Sequence, residues 1–146
     1  MQEIHRRWFD TTFPADAGRV RTATVINRKG TAQPVATLIN GLVSACENWK
    51  WRREHATPAE DAEYLGFSIG EANTLAISIY DVHPFIDGNT RATWHLRNYA
   101  LMLDGLRPLV DLQDQETYEA AWWSATPHDH EELDAIVIEE LGVQDR

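Results

Sequence analysis

Cysteine is almost missing from this chain of 146 residues, with Cys46 standing alone. One thiol cannot close an internal disulfide, so a reducing, cytoplasmic setting is the expectation. Positive charge is scarce too: 13 Lys and Arg face 23 Asp and Glu, a formal net charge of -10. Sequence-independent nucleic-acid binding and docking to anionic membranes both rest on Lys and Arg, so neither is expected. No apolar run approaches the ~20 residues of a membrane span. Residues 1–10 are largely polar and charged, which is not the pattern of a signal peptide. There are no repeats, no low-complexity tracts and no linker. What remains is a chain that is 43% hydrophobic and long enough to bury a core, read as a single domain over 1–146.

The periodicity is mainly that of helices. Ser68 and Glu71 have the spacing of a capping box, followed by Ala72, Leu75, Ala76 and Ile79. The spacing predicts a helix over 69–82 that delivers His83 at its end. Thr57, Pro58 and Glu60 repeat the capping pattern one helix earlier. Residues 90–104 form the next helix, with Leu96, Tyr99, Ala100 and Leu103 on one face and Gly105 as its stop. Gly105-Leu106-Arg107-Pro108 is a turn. Another helix covers 114–125, and Thr126-Pro127 starts a last one with Leu133, Ile136, Val137 and Leu141 as its buried stripe. Cys46, beside Leu42 and Val43, is expected in the core. One segment breaks the pattern. Val20, Thr22, Thr24 and Ile26 alternate, Asn27-Arg28-Lys29-Gly30 turns, and Thr31-Ala32-Gln33 returns, which reads as a short hairpin. Its free edge is suited to holding an extended peptide by strand addition.

The chemistry is concentrated in residues 83–91, His-Pro-Phe-Ile-Asp-Gly-Asn-Thr-Arg. They hold a candidate general base, a carboxylate suited to a hard metal, a Gly-Asn turn suited to phosphate, and an Arg. The loop runs into a helix N-terminus, whose unpaired N–H groups and dipole favour anions. Each residue also has a plain structural reading. His83 alone would be a satisfied histidine, Asp87 a helix-start acid, and Arg91 half of a surface ion pair. His128, Asp129 and His130 lack a third metal ligand at matching spacing and read as a solvated helix start. Of Trp49 and Trp51, and of Trp122 and Trp123, one of each should face inward.

The 83–91 segment resembles the core motif of the Fic family, His-Pro-Phe-x-Asp/Glu-Gly-Asn-Gly-Arg-x-x-Arg, and matches seven of its eight defined positions through Arg91. Ile4-His5-Arg6-Arg7-Trp8-Phe9 looks like the family's first helix. Ala17-Gly18-Arg19-Val20-Arg21-Thr22 looks like the Ala-Gly-x-x-Arg entry to its flap hairpin, and Tyr118-Glu119-Ala120-Ala121 resembles its C-terminal part. The resemblance implies a mainly α Fic-fold domain with a short β-hairpin flap. It also implies transfer of AMP from ATP to a Ser, Thr or Tyr hydroxyl of a target protein. In that scheme His83 is the general base and Asp87 holds Mg²⁺. Gly88, Asn89 and Thr90 line the phosphates, and Arg91 offsets their charge.

Two departures bear on the donor. Thr90 stands where the motif has its second Gly, and Trp94 where it has its final Arg. Arg97, one turn beyond Trp94, is the nearest replacement cation, and Trp94 is the best placed aromatic for a nucleobase. These changes leave open a Doc-like phosphate transfer, another nucleotide, a non-nucleotide donor, or a degenerate pocket that binds without turnover. The family's inhibitory pattern Ser/Thr-x-x-x-Glu-Gly/Asn has no match within residues 1–146, and a C-terminal inhibitory helix is not expected. Either a separate antitoxin-like partner restrains the protein, as in a toxin–antitoxin pair, or it lacks this regulation.

Overall fold

The computed structural model describes residues 2–9, 17–27, 30–56 and 61–142. Among them run six helices and one hairpin: α1 (Gln2–Phe9), β1 (Val25–Ile26), β2 (Ala32–Gln33), α2 (Val35–His55), α3 (Asp61–Val82), α4 (Asn89–Leu103), α5 (Gln115–Ser124) and α6 (Glu131–Glu140). The fold is mainly α, as expected.

Helix α3 is the centre of the domain. Ile69, Ala72, Leu75, Ala76, Ile77, Ile79 and Tyr80 are all buried. A helix apolar on so many sides must be covered on several, and α2, α4 and α6 all pack on it. The approach of α2 is close: a Cβ on Gly41 would lie 2.8 Å from Cγ2 of Val82. The polar residues of α3 meet partners on these neighbours. Arg52 of α2 donates through Nε to both carboxylate oxygens of Glu71, at 2.8 and 2.7 Å. Asn73 donates to Asp134 of α6 at 2.7 Å, and Thr74 pairs with His130 Nε2 at 2.8 Å.

Several expectations change. Ser68 and Glu71 do not cap a helix, because α3 has already begun at Asp61; Ser68 is buried mid-helix. Leu65, packed against the core, carries the helix through that point. Thr57, Pro58 and Glu60 lie outside the described residues. On α4, Ala100 is buried and Leu96 packs on the core, but Tyr99 and Leu103 are exposed. The inward face is instead Ala92, Thr93, Arg97, Asn98, Ala100 and Leu101. Polar residues turn inward there because they have internal partners. The Asn98 amide brackets Leu109, donating to its carbonyl at 2.8 Å and accepting its N–H at 3.1 Å. Helix α6 starts at Glu131, after a tight turn in which Thr126 and Asp129 exchange backbone bonds. Its stripe is as read, with Leu133, Val137 and Leu141 buried and Ile136 packed against them. Cys46 is exposed on α2 rather than buried. Of the Trp pairs, Trp122 is buried and Trp123 exposed, and Trp49 packs inward while Trp51 is exposed.

The hairpin forms, but its strands are two residues each, with Val25 opposite Gln33 and Ile26 opposite Ala32. The buried Asn27 side chain accepts the Thr31 N–H and helps close the turn, of which residues 28 and 29 lie outside the described residues.

Candidate active site

The loop between α3 and α4 carries most of the residues singled out from the sequence. His83 follows directly on α3, and its backbone N–H still donates to the Tyr80 carbonyl at 3.0 Å. Its φ is +55°, the one left-handed non-glycine residue among those described. That conformation is costly for a side chain with a Cβ, so the surroundings must hold it. Arg21 does so. Its guanidinium donates from Nε to the His83 carbonyl at 2.7 Å, from Nη2 to the Val82 carbonyl at 3.2 Å and from Nη1 to the Ala23 carbonyl at 2.7 Å. Its backbone N–H donates to the Pro84 carbonyl at 2.9 Å. Arg21 thus places a cation on the last carbonyls of α3, where the helix dipole is negative, and ties the flap strand to the loop. The sequence reading placed Arg21 in a motif but assigned it no task.

The loop is then pinned from the other side. Phe85 is fully buried. The Asn89 side chain, also buried, accepts the Phe85 N–H at 3.0 Å and donates to the Phe85 carbonyl at 2.9 Å. Asn89 was expected on phosphate; in the structure its amide clamps the turn. Gly88 sits at φ +75°, ψ 12°, just before α4. Only glycine adopts that conformation without strain. Thr90 has no such constraint: it lies in the first turn of α4 with an ordinary helical backbone. The motif's second glycine is therefore not required by the chain path here. No side chain caps the start of α4, which leaves its first N–H groups without intrahelical acceptors on the loop side.

His83, Tyr80, Ile86, Asp87, Gly88, Asn89, Thr90 and Arg91 line a cavity of about 310 Å³. The His83 ring meets the Tyr80 ring edge-on, centroids 5.4 Å apart. Burial pushes the His83 pKa below its ordinary value of 6.5, and the nearby Arg21 charge pushes the same way. The imidazole is therefore neutral at neutral pH, the form that accepts a proton. Asp87 is exposed, and its Oδ1 accepts the Gly88 N–H at 2.6 Å. Thr90 and Arg91 are exposed as well.

Trp94 and Arg97 do not reach this cavity. They line a second one of about 490 Å³, which Thr90 and Arg91 also border, so the two spaces are neighbours. Arg97 is 1% exposed. It lies 4.5 Å from the Trp94 ring and 5.1 Å from that of Tyr118, whose hydroxyl accepts from its Nη1. Tyr118, Trp122 and Trp123 of α5 complete the aromatic wall. No signal in the sequence placed α5 beside α4. His130, read as solvated, is tied to Asp134 at 2.9 Å and to Thr74. No group of three His, Cys, Asp or Glu suited to a metal occurs among the described residues.

Residues 1–101 match the sequence profile described as "Fic/DOC family". The "Protein adenylyltransferase fic-1" of Caenorhabditis briggsae is 30% identical over 108 residues, and that of Caenorhabditis elegans 29% over 111 residues. Each alignment covers 74% of this chain and 20% of the relative, so the chain spans about a fifth of those proteins. A solved fragment of Fic-1 from C. elegans superposes with a TM-score of 0.72 at 24% identity, covering 97% of this chain and 39% of the fragment.

Proposed function

The chain belongs to the Fic/DOC family, and on that premise we propose that it transfers AMP from ATP to a Ser, Thr or Tyr hydroxyl of a target protein. The observation that carries this reading is His83, held by Arg21 in a left-handed conformation at the wall of the loop cavity and kept neutral by burial. The relatives named adenylyltransferases support the donor.

In this scheme the imidazole takes the proton of the target hydroxyl as its oxygen attacks the α-phosphorus. The bond to the β-phosphate breaks, and pyrophosphate leaves. The first N–H groups of α4 face the phosphate, and Arg91 offsets charge as it develops. Asn89 contributes by keeping Phe85 and the turn in place, and Gly88 by letting the backbone come close. Asp87 fits Mg²⁺ as a single exposed carboxylate. Mg²⁺ takes one or two protein carboxylates and draws its other ligands from phosphate and water, a pattern that one carboxylate can serve. Bound there, it would neutralise the phosphates. The flap hairpin stands next to the loop through Arg21, which suits it to hold an extended target segment.

A second reading keeps the base and changes the donor. It is favoured by Trp94, which stacks on Arg97 and lends no cation to the loop cavity. The test is label transfer in a cell lysate with Mg²⁺, from ATP labelled on the α- or on the γ-phosphate, with His83→Ala alongside. Label from the α position alone, lost in His83→Ala, is the expected result. Label from γ only moves the assignment to phosphate transfer, and none from either removes ATP as donor.

A further inference from the structure

Arg97 combines full burial with incomplete pairing. The side chain borders the 490 Å³ cavity, yet its Nε and Nη2 have no hydrogen-bond partner among the described residues. Nη1 has only the Tyr118 hydroxyl, and no carboxylate pairs with the guanidinium among the described residues. An unpaired cation in a low-dielectric interior is unfavourable, and the π faces of Trp94 and Tyr118 offset that in part. The strain is released by an anion. The acids bordering the same cavity, Asp111 and Glu119, are exposed, where water and salt screen them. Arg97 acts from inside, with little screening. The cavity adjoins the catalytic loop through Thr90 and Arg91.

We propose that this cavity is an anion subsite in which Arg97, set against the edge-on pair of Trp94 and Tyr118 rings, receives the pyrophosphate end of the donor. The identity of that anion rests on the transferase reading above; the existence of the subsite does not. Because Nε and Nη2 expose no surface, the Trp94 or Tyr118 ring must turn to admit the ligand. Tyr118 is then a latch, and its hydroxyl gives up Nη1 to the incoming oxygen. Trp94 acts as the aromatic cover of a cation one turn further along α4, so it does not vacate the motif's cationic role but moves it.

The test is calorimetric titration with pyrophosphate and, separately, with AMP, both with Mg²⁺, on the wild type, Arg97→Met, Tyr118→Phe and His83→Ala. Pyrophosphate should bind the wild type and His83→Ala alike. It should bind Arg97→Met roughly ten- to a hundredfold more weakly, the range for losing a charged hydrogen bond. AMP affinity should change much less. Tyr118→Phe, which frees Nη1, should bind pyrophosphate as tightly as the wild type or more so. Equal pyrophosphate affinity in folded Arg97→Met, or no binding by the wild type, overturns the subsite. Should Arg97→Met not fold, Tyr118→Phe decides: weaker pyrophosphate binding there overturns it, and equal or tighter binding supports it. Arg97-dependent pyrophosphate binding without any AMP transfer would keep the subsite and remove the transferase reading. Undiminished transfer and pyrophosphate binding in Arg97→Met would do the reverse.

Discussion

Replacing Arg21 by Met removes the guanidinium and keeps most of the buried volume. Three charge-assisted bonds disappear, those to the carbonyls of Val82, His83 and Ala23; the backbone bond to Pro84 survives. Each such bond contributes about 1.5–3 kcal/mol. They share one group, and burying Arg21 at 3% exposure is itself unfavourable, shown by the downward push of burial on its pKa. The net loss expected is about 3 kcal/mol, less than the sum of three bonds. For a domain of this size that lowers Tm by roughly 10 °C. The loss is also local. The left-handed backbone of His83 stores about 1 kcal/mol or more, and without the clamp the loop relaxes. Thermal unfolding followed by circular dichroism reads the first effect. Label transfer at a temperature where the variant is fully folded reads the second, and should fall well below wild type. Arg21→Lys, a point charge without the planar fork, should recover only part of either. A Tm within roughly 3 °C of wild type, together with undiminished transfer, would refute the argument that Arg21 holds the catalytic loop.

Other consequences follow from the packing and the titrating groups. Burial holds the His83 pKa below 6.5, so the acid limb of the transfer-rate profile should lie below pH 6.5; a midpoint above it would contradict a desolvated base. The bond to Asp134 raises the His130 pKa above 6.5. A folded pKa above the unfolded one favours folding at low pH. The pair's contribution is therefore complete below pH 6.5 and fades as pH rises through the raised value. The urea midpoint of wild type should exceed that of Asp134→Asn by more at about pH 6 than at about pH 8.5, and an equal gap at both would count against the pair. Gly41→Ala should lower the urea midpoint by about 1 kcal/mol in stability, although alanine is the better helix former by a similar amount. Its Cβ would press on the stiff Val82 side chain at 2.8 Å, next to His83. A stabilised variant would mean that α2 yields freely.

The helices were legible where one face is apolar and the other is wet. The α6 stripe of Leu133, Val137 and Leu141 is of that kind. Helix α3 was misread at Ser68, because a capping box is a local pattern and cannot report that the preceding turn is already packed. The inward face of α4 could not be read locally for a related reason. Arg97 and Asn98 are polar by composition and inward by partnership, with Tyr118 and Leu109 far along the chain. Cys46 was placed in the core by its apolar neighbours, yet it lies on an exposed side of α2.

The nine residues from His83 to Arg91 name the family, and with it the candidate base, metal carboxylate and anion-binding turn of the proposed transfer, because that chemistry needs those residue types in one short loop. Sequence order also predicted the hairpin ahead of α2 and the glycine turn into α4. The tertiary structure decided which groups remain available. It made Asn89 a loop clamp, gave Arg21 the task of holding His83, and sent Trp94 and Arg97 into a separate aromatic cavity against α5. The physical reason is the same in each case. A hydrogen bond or a desolvated charge depends on what lies within a few ångströms in space, and Arg97 meets Tyr118 21 residues on while Arg21 meets His83 62 residues on.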